Sequence, residues 1–406
     1  MTPIDFLGIP FEFVLFAATL LCVALFHNRV MMVALVGLAL VTVYKLLFTG
    51  FDGAAGFVGL LHHLQHEWVL LANLLGLLVG FALLSRHFEA SHIPHLLPRF
   101  LPDDWRGGFV LLALVFVLSS FLDNIAGAII GATVASTVFR ERLHVGYLAG
   151  IVAASNAGGS GSVVGDTTTT MMWIAGVSPL DVLHAYVAAA AAFLVFAVPA
   201  SIQQQRYSPI VKDPSARVHL DMPRVVIVGV ILMAAVATNV GVNVLAPQIA
   251  DSFPFLGAAV WVALIIMAPL RAPDWKMVPG ALKGSVFLLS LVMLASMMPV
   301  ESLPPASALE TLELGAVSAV FDNIPLTKLA LDQGGYDWGV LAYAVGFGGS
   351  MLWFGSSAGV AVANLFPEAK SVAAWLRHGW HVILAYFVGY FVLILLLGWH
   401  PHVPHR

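Results

Sequence analysis

Two short acidic motifs interrupt apolar segments of the chain and hold the residues best suited to chemistry. Asp123-Asn124 and Asp322-Asn323 each follow an apolar segment and are each followed by isoleucine. A charged carboxylate at bilayer depth costs at least about 2.5 kcal/mol. One explanation is an interfacial turn, because Asp and Asn are good turn formers. The recurrence of the same motif in both halves of the chain favours a functional role.

A Gly-Gly-Ser segment follows each acidic motif further along the chain. The segments begin at Gly158 and Gly348, and another glycine, Gly165 or Gly355, lies seven residues later in each. Such glycine density predicts a break in the helix. Non-helical backbone at bilayer depth is tolerated only where it is buried in protein or lines a wet cavity. Its carbonyl groups then become candidate ligands.

Oxygen-bearing side chains concentrate around the first Gly-rich segment, which suits a hard cation such as sodium. Close helix packing would explain the glycines, but it does not explain Asp166. The counterpart of Asp166 in the second segment is neutral Ser356, so the two half-sites differ in charge. Burial raises the pKa of a carboxyl group and a bound cation lowers that pKa again. A buried aspartate can therefore hold either a proton or a sodium ion.

We hypothesise that Asp123 and Asp166 bind sodium from one side and release it on protonation from the other. Asp322 and Asn323 would form the pseudo-symmetric half of the site. The predicted proton-coupling residues are Asp123, Asp166 and Asp322. The predicted sodium-binding residues are Asp123, Asn124, Asn156, Gly158, Ser160, Asp166, Thr167, Asp322, Asn323, Gly348, Ser350 and Ser356.

Lys328 is the one basic residue close in sequence to an acidic motif. It either keeps Asp322 charged as a counter-ion or lies at a helix end with its stem along apolar surface. Asp332, four residues further on, offers Lys328 another partner on the same helix face. Three histidines near the edges of apolar segments are interpreted as interfacial and left outside the site: His184, His378 and His381.

The composition places these motifs in a membrane. Of 406 residues, 60% are hydrophobic and 10% are charged, against about 25% charged in soluble domains. Apolar segments long enough to cross a bilayer recur along the chain. A net charge of -4 offers no basic patch for nucleic acid, and the single cysteine, Cys22, excludes an intrachain disulfide. The sequence shows neither a paired zinc-ligand motif nor a nucleophile elbow, either of which would indicate an enzyme.

These patterns predict an all-α polytopic membrane protein of about eleven transmembrane helices, with a basic polar stretch placed in the cytoplasm by the positive-inside rule. An odd number of spans per half would give the two copies opposite orientations, as in inverted-repeat transporters. The predicted divisions are an amino-terminal spanning helix at 1–29, a first repeat at 30–201, a cytoplasmic linker at 202–224, a second repeat at 225–399 and a short tail at 400–406.

The motifs resemble those of the ion transporter superfamily and, within it, the NhaD-type sodium/proton antiporters. The resemblance is carried by Asn156-Ala157-Gly158-Gly159, Gly165-Asp166, Thr168-Thr169-Thr170-Met171, Phe321-Asp322-Asn323-Ile324-Pro325-Leu326, Gly348-Gly349-Ser350 and Gly355-Ser356-Ser357-Ala358-Gly359-Val360. It implies two inverted repeats with broken helices and with re-entrant hairpins that carry Asp123-Asn124 and Asp322-Asn323 at their tips. It further implies a homodimer in the inner membrane that exchanges sodium or lithium for protons and needs no cofactor.

An alternative is sodium-coupled uptake of a small organic anion, such as a dicarboxylate or citrate. The Gly-rich helix ends could receive its carboxylate. Carboxylate-carrying relatives show Ser-Asn-Thr at the hairpin tips, whereas this chain has Asp-Asn at both. An acidic tip repels an anion, so the sequence favours cation exchange.

Overall fold

The computed structural model describes residues 5–6, 8–26, 29–51, 54–211, 219–250 and 252–402, and within them the chain is almost entirely α-helical. The described strands are β1 (Asp5–Phe6) and β2 (Ile9–Pro10), which form one short antiparallel pair. Residues 212–218 of the predicted linker and 403–406 of the predicted tail lie outside the described residues, as do parts of the amino-terminal segment.

The helices of the first half range from 5 to 35 residues in length. They are α1 (Phe11–Leu25), α2 (Val30–Tyr44), α3 (Gly56–Ala90), α4 (Trp105–Ser119), α5 (Asn124–Val138), α6 (Val145–Ser160), α7 (Thr167–Ile174), α8 (Pro179–Leu183) and α9 (Ala185–Tyr207). A π-helical turn, Lys45–Thr49, extends α2, and a 3₁₀ helix, Pro94–Phe100, precedes α4.

The helices of the second half follow a similar succession. They are α10 (Met222–Val240), α11 (Phe255–Met267), α12 (Val278–Ser296), α13 (Ala308–Ser318), α14 (Asn323–Gln333), α15 (Trp338–Gly348), α16 (Ser357–Leu365), α17 (Val372–His378) and α18 (Trp380–Leu397). Short 3₁₀ and π turns lie at Gly241–Leu245, Pro247–Ile249, Trp275–Met277, Val300–Ser302 and Pro367–Lys370.

Six helical segments among the described residues are long and apolar enough to cross a bilayer. They are Val30–Thr49, Gly56–Ala90, Pro179–Tyr207, Met222–Val240, Trp275–Ser296 and Trp380–Leu397. Five further apolar helices among the described residues, including α4 and α5 around the first acidic motif, are too short to cross alone. Together these features confirm a polytopic all-α membrane protein.

The two ends of the molecule can be named from the contacts between helix termini. At the linker end, the Asp221 amide donates to the Ser91 carbonyl over 3.1 Å, and the His144 amide donates to Gln204 Oε1 over 2.8 Å. At the tail end, the His402 amide donates to the Tyr336 carbonyl over 3.1 Å. The helices run between these two ends.

The apolar core lies where α4, α5, α6, α9, α15 and α18 pack together. Nearly all of α6 is buried, and its many small residues, Ala and Gly, let neighbouring backbones approach closely. A smaller core joins α1 and α2 to α12 at one flank. The helices that lead into the two Gly-rich segments, α6 and α15, are almost wholly buried in protein, as irregular backbone at membrane depth requires.

Candidate functional site

The acidic motifs lie at the tips of two helical hairpins that begin at opposite ends of the molecule. In the hairpin α4–α5, the start of α4 and the end of α5 both lie at the linker end, where the Val211 amide donates to the Val138 carbonyl over 2.8 Å. In the hairpin α13–α14, both termini lie at the tail end, where Gln333 Nε2 donates to the Pro304 carbonyl over 2.6 Å. Asp123 and Asp322 occupy the two turns.

The Gly-rich segments are the predicted breaks between two half-helices. The first break separates α6 from α7 at residues 161–166, and the second separates α15 from α16 at residues 349–356. In the first break, Thr169 Oγ1 donates to the Ser162 carbonyl over 2.6 Å, and Thr170 Oγ1 donates to the Val163 carbonyl over 2.9 Å. The following half-helix therefore satisfies part of the freed backbone, and these two carbonyls already have donors.

Gly158 and Gly348 are required because a hairpin backbone passes directly over each of them. A Cβ atom at Gly158 would lie 2.0 Å from the Phe116 carbonyl oxygen, and one at Gly348 would lie 2.2 Å from the Gly315 carbonyl oxygen. The Gly158 carbonyl accepts hydrogen bonds from Ser120 Oγ and Tyr186 OH at 3.1 and 3.2 Å. Close packing of hairpin on broken helix thus accounts for both glycines.

Four helices, α5, α7, α14 and α16, start near one another. Each is capped by a side chain from the acidic or Gly-rich motifs. Asp123, Asp166 and Asp322 accept from the second amide of α5, α7 and α14 at 3.2, 3.3 and 3.0 Å. Ser356 accepts from the Gly359 amide of α16 at 3.2 Å. Such caps satisfy amides that a helix leaves unpaired, and the positive helix N-termini favour the negative carboxylates.

Asn156 connects the two halves of the chain at the centre of the site. Its Oδ1 accepts from Asn124 Nδ2 at 3.1 Å, and its Nδ2 donates to Ser350 Oγ at 2.9 Å and to Ser356 Oγ at 3.0 Å. The first hairpin tip, the first broken helix and the second broken helix are therefore joined through one buried amide. Removal of this side chain would leave several buried polar groups without partners.

Asp166 is the most deeply buried of the three motif carboxylates, with 2% of its surface exposed. Its Oδ1 caps α7, whereas its Oδ2 has no hydrogen-bond partner among the described residues. The charges of Asp123 and Asp322 both act on Asp166. The ion pairs formed by the described part of the chain do not include any of these three aspartates.

A cavity of about 240 Å³ leads from Asp123 and Asp166 toward the linker end. It lies between α3, α5, α7 and α12, and Thr167 and Ser285 contribute hydroxyl groups to its wall. Arg86 lines the other end of the cavity, and nearly half of its side chain is exposed. The two aspartates can therefore be reached by a small ion from one end of the molecule.

The structure places most of the predicted site residues around this centre. Asp322 lies at the second tip, where its Oδ2 accepts from Ser357 Oγ at 3.3 Å, and Asn323 is buried behind it. Ser160 is buried, and its hydroxyl donates to the Ala157 carbonyl of its own helix over 2.9 Å. Ser357 is not among the predicted sodium-binding residues, and its contact with Asp322 adds it to the site.

Lys328 does not pair with Asp322 and does not lie in the exposed position of a snorkelling residue. It is buried, and its Nζ donates to Glu67 Oε1 at 2.9 Å and to Asp332 Oδ1 at 2.7 Å. The Asp332 partner follows from helix spacing, whereas Glu67 comes from α3, far away in sequence. The sequence feature that could have pointed to Glu67 is its position as an acidic residue at the edge of an apolar segment.

His381 corrects a second sequence interpretation, because it is fully buried instead of interfacial. It lies in the first turn of α18, which packs against α6 and α9. Both of its ring nitrogens lack hydrogen-bond partners among the described residues. His184, by contrast, is exposed, as an interfacial position requires.

No cluster of three or more His, Cys, Asp or Glu side chains that could hold a metal ion occurs in the described ranges. The oxygen groups at the centre are instead carboxylates, amides and hydroxyls that belong to facing half-helices. This donor set suits a weakly held hard cation better than a transition metal.

Known proteins that are similar to this chain in sequence include sodium/proton antiporters. No family model matches the chain. It is 30% identical over 300 residues to Sodium/proton antiporter 1 of Arabidopsis thaliana, covering 64% of this chain and 50% of that protein. It is 27% identical over 345 residues to the Na(+)/H(+) antiporter NhaD of Alkalimonas amylolytica, covering 73% and 68%. The chain thus spans half the length of the first relative, and these similarities confirm the resemblance to NhaD-type antiporters.

Proposed function

We propose that this chain, a relative of the NhaD-type sodium/proton antiporters, exchanges sodium or lithium for protons across a bilayer by alternating access. The observation that carries the proposal is the buried carboxylate of Asp166, which has one oxygen without a partner and no paired cationic side chain among the described residues. A carboxylate at this depth needs a neutralising partner.

A proton and a cation neutralise the same carboxylate in mutually exclusive ways. When sodium binds beside Asp166 it makes protonation less favourable, and protonation removes the negative charge that attracts sodium. Asp123 shares the cavity with Asp166, so its charge adds to the attraction for a cation. Competition of this kind at one site, combined with alternating access, is sufficient for exchange.

The predicted ligands divide between the two half-sites. Asp123 and Thr167 line the cavity on the first side, with Asn124 immediately behind the tip. Asp322 and Asn323 occupy the second tip, and we propose that they support the exchange from the other side.

Two inverted repeats at 30–201 and 225–399, with about eleven spans in all, are the finer architecture that we propose. The hairpins start at opposite ends of the molecule, and each tip meets a broken helix, which supports this arrangement. We further propose that the linker faces the cytoplasm of a cell whose inner membrane holds the protein as a homodimer. The open cavity then corresponds to an inward-facing state.

Sodium-coupled uptake of an organic anion is the less favoured function. A dicarboxylate would have to approach three aspartates that have no compensating basic side chain in the described ion pairs. Coulomb repulsion at short range in a medium of low dielectric would oppose its binding. A cation would instead be attracted by the three carboxylates.

The test uses purified protein in proteoliposomes loaded with a pH-sensitive dye. We expect external sodium or lithium alone to drive protons out of the lumen, with potassium as the control cation. Addition of succinate or citrate should not change the rate. The proposal fails if cations alone move no protons, and a response that requires a dicarboxylate would support the symporter instead.

A further inference from the structure

Three buried polar atoms at the starts of α7 and α14 lack hydrogen-bond partners among the described residues, and one of them is Thr168 Oγ1. The other two, Asp166 Oδ2 and Asn323 Nδ2, belong to residues that are 2% and 3% exposed, and one sequence difference accounts for both. Buried polar atoms are nearly always hydrogen-bonded. Two such atoms on elements that pack together, α7 and α14, indicate a place for something else to bind.

Comparison of the two repeats shows which side chain is absent beside these two atoms. When the Gly-Gly-Ser segments are aligned, Asn156 corresponds to Gly346, just as Asp166 corresponds to Ser356. In the first position, the amide of Asn156 fills the space between Asn124, Ser350 and Ser356 and bonds all three.

In the second position, Gly346 offers no side chain to the corresponding three residues. Two of them, Ser160 and Asp166, follow from the same alignment, and the third, Asn323, follows from aligning the two Asp-Asn motifs. A Cβ atom built on Gly346 would have Asp166 Oδ2 and Ser160 Cβ as its nearest neighbours, each at 3.4 Å. The two atoms without partners, on Asp166 and Asn323, are those that an asparagine at 346 would serve by analogy.

We infer that Gly346 leaves open the position that the Asn156 amide fills in the other half, and that the transported sodium ion occupies this open position against Asp166. The inference rests on the proposed function and specifies it further. Asn156 permanently holds the equivalent place in its own half, so the chain binds one sodium ion and not two. Asn323 can present its carbonyl oxygen to the ion after rotation of its amide.

The charges around the two positions also favour a sodium ion beside Gly346 over one at the place that Asn156 fills. The position beside Gly346 has a carboxylate, Asp166, on which the charges of Asp123 and Asp322 also act. The position filled by Asn156 is bounded by the hydroxyls of Ser350 and Ser356. A cation is attracted to the first position, whereas a neutral amide suits the second.

The test is the Gly346→Asn variant, with Gly346→Ala as its matched control. The alanine Cβ would meet its neighbours at ordinary van der Waals distance, so Gly346→Ala should retain sodium binding. Gly346→Asn places an amide in the open position and should lose saturable sodium binding, measured by equilibrium binding of radioactive sodium to the purified full chain. Size-exclusion chromatography reports whether each variant is folded.

The number of sodium ions bound per wild-type chain tests the inference even if Gly346→Asn does not fold. We expect one sodium ion per chain, and two ions per chain would overturn the inference. Gly346→Asn that folds and binds sodium with wild-type affinity would overturn it as well, while leaving the proposed exchange intact. A wild type that binds no sodium would overturn the proposed function and this inference together.

Discussion

Asp166 has a structural task and a chemical task that use different oxygens. Its Oδ1 caps α7, which explains why an acidic or small polar residue is favoured at this position. Its Oδ2 points to no partner among the described residues, which capping does not explain. Ser356 caps α16 at the equivalent position with a hydroxyl. The carboxylate in the first half is therefore more than a helix cap requires.

This division predicts the effect of Asp166→Asn. Asparagine caps helices about as well as aspartate, so the melting temperature in detergent should change little. The charge is lost, so sodium binding to the purified protein should be abolished. Asp104→Asn is the matched control, because Asp104 caps α4 in the same way at 2.9 Å but lies at the linker end. Both variants should melt alike, and only Asp166→Asn should lose binding. Retention of sodium binding by Asp166→Asn would contradict the role given to its Oδ2.

Residue types and spacing could predict the motif residues but not their partners. The repeated Asp-Asn and Gly-Gly-Ser patterns suffice to locate both tips and both breaks. The bonds from Asn156 to Ser350 and Ser356 join residues about two hundred positions apart, and no local pattern encodes such a contact. For the same reason the buried position of His381 was missed, since its burial depends on how α18 packs.

Among the helices, the contact between each hairpin and its broken helix sets the geometry of the site. Gly158→Ala should disrupt it, because the new methyl group would lie 2.0 Å from a backbone oxygen of α4 and backbone cannot move aside cheaply. Overpacking of this kind costs about 1–3 kcal/mol or more. Thermal unfolding checks the loss. In the control Gly229→Ala, nothing lies within 4 Å of the added atom, so its melting temperature should be unchanged or higher. A neutral Gly158→Ala would refute the close approach.

Lys328 ties the second hairpin to α3 through Glu67, and it also holds Asp332 on its own helix. Lys328→Met should leave two carboxylates without a counter-ion, and breaking a buried pair in this way costs about 3–5 kcal/mol. Thermal unfolding in detergent should show a large drop. The double variant Lys328→Met, Glu67→Gln should recover part of it, because one stranded charge is removed.

Lys283→Met is the control for this prediction, since Lys283 lies exposed on α12. Surface substitutions usually change stability by at most about 0.5 kcal/mol. Equal melting temperatures for Lys328→Met and Lys283→Met would show that the ion pair with Glu67 does not hold the hairpin.

On the scale of the whole molecule, the cavity that reaches Asp166 extends toward the linker end. This orientation can be tested by cysteine labelling after Cys22→Ser removes the native thiol. Ala281→Cys lines the cavity and should react with a membrane-impermeant maleimide from the linker side. Glu301→Cys lies exposed beyond the tail-end terminus of α12 and should react from the opposite side. Reaction of both cysteines from one side would contradict the orientation of the cavity.

The membrane class and helical architecture could be predicted from composition and apolar segments, because these depend on the average character of long stretches. The lengths of individual helices could not, since α4, α5, α13 and α14 stop at tips set by tertiary packing. Opposed hairpins could be inferred only from the repeat together with an odd number of spans. The contacts at the two ends of the molecule now support that arrangement.

The central claim is that sodium and protons compete for Asp166, and proton movement in dye-loaded proteoliposomes tests it most directly. An imposed sodium gradient, with no organic anion present, should move protons in the wild type and in Asp104→Asn but not in Asp166→Asn. Proton movement by Asp166→Asn at the wild-type rate would contradict the account, because exchange would then not depend on this carboxylate.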